Sequence, residues 1–97
     1  MGNKNILAVN EGLVISKIYL VRGVKIMLDE DLASMYGIET RRLNEQVRRN
    51  IDRFPSDFMF HLTIKEFENL KSQNATSSWG GRRKLPLAFT EHGVLML

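Results

Sequence analysis

Between Arg41 and Arg53, five arginines are threaded through the apolar series Leu43, Val47, Ile51 and Phe54, and few structures satisfy both patterns at once. Spacings of three and four mark one face of an α-helix. With each residue advancing about 100°, those four side chains fall within roughly 80° of one another. Arg42, Gln46, Arg49 and Arg53 then form a row along one flank. Arg41 and Arg48 lie on the other flank, with Glu45 and Asp52 opposite the apolar stripe. Such a helix docks by its stripe and leaves long donors outside.

A shorter helix is expected just upstream. Asp29, Glu30 and Asp31 suit the positive end of a helix dipole, and Asp29 can cap it by accepting backbone N–H bonds. Leu32, Ala33, Met35 and Tyr36 supply its apolar face. Gly37 ends it, because glycine takes the left-handed C′ conformation without penalty. Thr40 is the expected cap of the arginine helix, and Arg53-Phe54-Pro55 its end. Two helices across a tight turn, the second rich in arginine, describe a helix-turn-helix whose guanidinium forks can pair with guanine or phosphate. An ordinary solvated amphipathic helix with Arg–Glu pairs would share the spacing.

Charge distribution favours the first reading. The chain of 97 residues carries only +3 overall. Residues 41–53 hold five basic against two acidic side chains, and Arg82-Arg83-Lys84 add three more. Two basic islands on a mildly acidic body are the footprint of a nucleic-acid binder. Cysteine is absent, which removes disulfides, thiol nucleophiles and cysteine-ligated zinc. No apolar run is long enough to span a membrane, and the expected location is cytoplasmic.

The remaining elements follow in chain order. Residues 1–13 are expected to be a flexible amino-terminal arm, and 14–97 a single domain. Ile18–Val21 and Val24–Leu28 read as a hairpin turning at Arg22-Gly23. Phe58–Leu62 reads as a strand. Thr63-Ile64-Lys65-Glu66 is a capping box opening a helix with Ile64, Phe67 and Leu70 inward. Residues 72–84 read as a polar loop interrupted by Trp79 and ending in the second basic island. Laid along a phosphate backbone, that loop would serve as a wing. A plain surface loop whose charges aid solubility is the alternative. Leu85–Phe89 reads as a strand with Pro86 at an edge or at its start, and Thr90 caps a last helix over 91–97. That helix stops in mid-pattern, as expected of a fragment of a longer protein. Met27, Leu28, Met35, Phe58, Phe60, Phe67, Phe89 and Leu95 are the expected core.

Catalytic chemistry finds little support. His61 and His92 have no partners at metal-ligand spacing, and Gly80-Gly81-Arg82 is too short for a phosphate-binding loop. The expectation is a non-enzymatic domain with no cofactor, no metal and no small-molecule substrate.

Five blocks taken together resemble a known family. They are residues 26–33 (Ile-Met-Leu-Asp-Glu-Asp-Leu-Ala), Tyr36-Gly37, 42–50 (Arg-Leu-Asn-Glu-Gln-Val-Arg-Arg-Asn), 53–60 (Arg-Phe-Pro-Ser-Asp-Phe-Met-Phe) and 85–94 (Leu-Pro-Leu-Ala-Phe-Thr-Glu-His-Gly-Val). In this order they look like the ORF6N domain, a phage and bacterial DNA-binding module grouped with the KilA-N and BRO-type amino-terminal domains. The resemblance spans about residues 15–97. The chain departs from it at His92, where glutamine is usual, and at Leu87, where tyrosine is common; neither position touches the arginine helix. The resemblance implies sequence-specific DNA binding in transcriptional regulators, often prophage-derived antirepressors with a different carboxy-terminal domain.

The expected fold is therefore α+β, a small antiparallel sheet with a helix-turn-helix, winged by loop 72–84. The expected partner is double-stranded DNA, with a homodimer left open. Arg42, Gln46 and Arg49 would reach base edges, while Arg41, Arg48, Arg53, Arg82, Arg83 and Lys84 would neutralise phosphates. The rival reading is a protein-interaction module of an antirepressor that binds a repressor, its arginines meeting an acidic partner. A DNA reader should keep its arginine flank open to solvent, whereas an interaction module should show a contiguous apolar patch.

Overall fold

The computed structural model describes residues 17–74 and 84–97. The expected arm over 1–13 and most of the expected wing, including Trp79, Arg82 and Arg83, lie outside the described residues.

The chain opens with the hairpin, β1 (Tyr19–Val21) and β2 (Val24–Leu28). Val21 pairs with Val24 across a two-residue turn in which Arg22 and Gly23 both take left-handed φ values, 55° and 77°. That primed geometry matches the right-handed twist of the flanking strands. Helix α1 (Asp29–Tyr36) follows at once and stops at Gly37, φ 71°, whose N–H donates back to Ala33 and Ser34. Three residues later begins α2 (Thr40–Arg49).

Beyond α2 come a 3₁₀ turn (Ile51–Arg53), β3 (Met59–His61), α3 (Ile64–Asn74), β4 (Leu87–Thr90) and α4 (Glu91–Leu95). The antiparallel sheet has the order β1-β2-β4-β3, so β4 sits in the interior. Pro86 immediately precedes the ladder, where its missing N–H breaks no pairing, and its carbonyl accepts from Leu62 N at 3.1 Å. Of the two places expected for it, the start is the one it occupies; the strand is not an edge.

Strand alternation sends successive side chains to opposite faces, and both faces are covered. Tyr19, Val21, Ile26, Leu28 and Ala88 pack with Phe67 and Leu70 of α3. Met27, Leu87 and Phe89 pack with Leu32 and Ala33 of α1 and with Leu43 and Val47 of α2. Val94 of α4 joins that second core. At the foot of α4, Gly93 lies so close to the Phe58 carbonyl that a Cβ would collide with it.

Capping departs from expectation at two sites and agrees at two. Asp29 lies inside α1 and is fully buried. Its carboxylate accepts from Glu30 N at 2.7 Å, Asn44 Nδ2 at 3.2 Å and Leu87 N at 3.3 Å. One side chain thereby ties α1, α2 and β4 together. Thr40 is already helical, and neither it nor the preceding Glu39 caps α2 by a side-chain bond. The capping box forms as expected: Thr63 N donates to Glu66 Oε1 at 2.8 Å and Glu66 N to Thr63 Oγ1 at 3.1 Å. Thr90 Oγ1 accepts from Gly93 N at 3.4 Å.

Four residues expected on apolar faces or in the core are outside, Tyr36 at the end of α1 among them at 53% exposed. Ile51 is 51% exposed, Ile64 65% and Leu95 75%. The helix that was to carry Ile51 ends at Arg49, because Asn50 turns its amide back onto Gln46 O at 2.9 Å and the chain tightens to 3₁₀. Phe54 still reaches the core, edge-on to Phe89 with ring centroids 6.0 Å apart. Residues 72–74, expected in the loop, complete α3.

Candidate nucleic-acid interface

Helix α2 is held by two buried residues one turn apart, Leu43 and Val47. Everything else on it is exposed except Thr40 and Asn44, which are half-buried. Ten residues at 1.5 Å rise give a rod of about 15 Å, which the major groove can accept.

The two flanks of this rod face different surroundings. Arg41, Arg42, Gln46 and Arg49, with Glu45 and Ile38, line a shallow and mostly polar hollow of about 570 Å³. Three of the four residues expected in one row are thus together. Arg53 is not with them. The tighter 3₁₀ turn carries it into a separate hollow with Asn50, Phe54 and Leu97, bordered also by Gln46.

On the other flank, Arg41 and Arg48 border a cleft of about 840 Å³ that runs from α2 to the β3 edge. Lys84, the one described member of the second basic island, lines the same cleft. Arg41 therefore reaches both sides, a double membership the helical wheel does not show. Glu39 Oε2 lies 3.9 Å from Arg41 Nη2, an ion pair about three-quarters exposed on each side, which adds little to stability. Arg48 and Arg49, one on each flank, fall in the last turn of α2, where positive charge complements the dipole.

His61 lines the cleft, and His92 stacks on Phe58 at 5.5 Å between ring centroids. Among the described residues, no group of three or more His, Asp and Glu side chains is placed to hold a metal, and no helix is long and apolar enough to cross a membrane.

The model of the ORF6N domain matches residues 16–97, from just before the hairpin to two residues past α4. The chain belongs to the ORF6N domain family. No curated protein and no solved structure matches it. Within this ORF6N domain the resemblance blocks have structural places. Residues 26–33 run from β2 into the buried Asp29 tie, Tyr36-Gly37 is the end of α1, and 85–94 is the interior strand with its following cap.

Sequence reasoning missed Met59, His61, Ile64 and Leu85 as neighbours of the arginine helix. They come from β3, α3 and the lead-in to β4, and only the non-sequential strand order brings them beside α2.

Proposed function

We propose that this ORF6N domain is a non-enzymatic, sequence-specific double-stranded-DNA-binding module of a phage- or prophage-type transcriptional regulator. The observation that carries the reading is the exposed set Arg42, Gln46 and Arg49 on a helix fixed from behind by Leu43 and Val47. Guanidinium and carboxamide groups are the side chains that pair bidentately with guanine and adenine edges in the major groove. In this reading Arg41, Arg48, Arg53 and Lys84 neutralise phosphates, as do Arg82 and Arg83, which lie outside the described residues. The polar flank meets the requirement that a DNA reader keep its donors in solvent.

The test is fluorescence anisotropy with random and selected duplexes across a salt series. Affinity should fall steeply with salt, and Arg48→Ala should lower the slope of log K against log salt by about one. Arg49→Ala should instead relax preference at one base position, at about 1–3 kcal/mol. No binding at low salt would overturn the reading.

A further inference from the structure

The cleft on the far flank of α2 has a floor that DNA does not explain. Its lining is mainly apolar and includes Ile51 and Ile64, 51% and 65% exposed. Ile51 follows the end of α2 and Ile64 opens α3, so two elements each present an isoleucine to the same space. Half-buried Met59 and Leu85 line it as well. A phosphate backbone supplies charge but no apolar surface to cover such a floor. Exposed apolar side chains gathered in a cleft with a cationic rim suit a short protein segment rather than a broad interface.

The rim states the charge of the occupant. Arg41, Arg48 and Lys84 border the cleft, and its only lining carboxylate among the described residues is Asp29. Asp29 is fully buried, its oxygens accepting from Glu30 N, Asn44 and Leu87 N. Residues 75–83 of this chain have the wrong sign to fill the cleft, carrying two arginines and no acid.

We infer that the cleft between α2 and the β3 edge docks an acidic protein segment with apolar anchors, and that docking there excludes DNA. The apolar anchors cover Ile51 and Ile64 while carboxylates meet Arg41 and Arg48. The exclusion rests on the DNA-binding reading, since Arg41 and Arg48 serve both ligands; the docking does not.

The probes are two fluorescein-labelled peptides of about a dozen residues built from leucine and glutamate. One has leucines at helical spacing and the other alternates, with a scrambled peptide of the same composition as control. One of the two should bind the 97-residue chain more tightly than the scramble. Ile51→Ser and Ile64→Ser, both at exposed positions, should each weaken it about tenfold and leave duplex affinity within about twofold. Arg48→Ala should weaken both ligands, and the bound peptide should displace labelled duplex.

Failure of both peptides, equal binding of the scramble, or indifference to the isoleucine variants would each overturn docking while leaving DNA binding untouched. Peptide binding by a chain that ignores DNA would support docking and sink the DNA reading. Simultaneous binding of peptide and duplex would overturn exclusion. A concentration-dependent dimer abolished by Ile51→Ser would assign the cleft to a second copy and overturn the inference. A shift in emission of Trp79, the sole tryptophan, caused by Ile64→Ser without peptide would assign it to the chain's own 75–83 segment and overturn it likewise.

Discussion

The two flanks of α2 carry nearly the same charge and face unlike neighbours. On one side Arg42, Gln46 and Arg49 look onto a hollow walled mainly by the helix itself. On the other, Arg41 and Arg48 look across apolar side chains from β3, α3 and the approach to β4. Among the described residues no carboxylate is paired with Arg42 or Arg49 on the first flank; on the second, Arg48 rims a hydrophobic floor. The number of cations is therefore a poor guide to what a helix binds. The surface facing the cations decides.

The largest expected effect removes what both flanks share. Leu43→Ala deletes a buried anchor beneath α2 and should cost about 3 kcal/mol, read as a lower denaturant midpoint. Both ligand classes should weaken with it, whereas loss of only one would mean that the flanks do not ride on one rigid helix. Asp29→Ala should cost about 2 kcal/mol by stranding the Leu87 N–H and the Asn44 amide, and should loosen the cleft wall before the polar hollow. Hydrogen exchange at Leu87 would report it.

The next pair sharpens the contrast without touching stability. Arg49→Ala should lose about tenfold in duplex affinity and nothing in peptide affinity, and Ile51→Ser should do the reverse. Equal losses in both variants would merge the two flanks into one site.

The smallest effect comes from a pair that lines neither the hollow nor the cleft. Glu66 pairs with Arg22 at 2.8 Å, and this bond, aided by the Thr63 N–H, holds its carboxyl at about 2, below its usual 4.5. A carboxylate lowered in the folded state contributes stability above its unfolded value and loses it as pH falls through the folded one. Between pH 4.5 and 2 the parent should thus lose more stability than Glu66→Gln. Because Arg22 is well exposed, the difference should be about 0.5 kcal/mol. Neither flank should respond.

Local chemistry made much of this legible. The hairpin at Arg22-Gly23, the stop at Gly37, the Thr63–Glu66 box and the Thr90 cap each depend on neighbours within a few residues, and each is present. The wheel failed where it assumed an unbroken helix: Asn50 ends the 3.6-residue period, so Phe54 reaches the core while Ile51 and Arg53 swing away. At Ile64 the capping box set where the helix begins but not which way it rolls onto the sheet. Pairing of β4 between β2 and β3 leaves no local trace, because strand order is decided by contacts remote in the chain. For the same reason the arginines could be named from the sequence, but their division between a polar hollow and an apolar cleft could not.

That strand order has a further consequence, in time rather than space. Of the four strands of this sheet β4 is the last to be synthesised, yet it lies between two made earlier. Until residues 87–90 emerge, β2 and β3 each lack their common partner, and the helix pair lacks the Leu87 and Phe89 side chains it packs on. The arginine helix is thus translated early and fastened late. A nascent chain stalled short of Leu87 would hold out its basic residues on a helix with no completed sheet behind it, a state that chaperones rather than DNA would be first to meet.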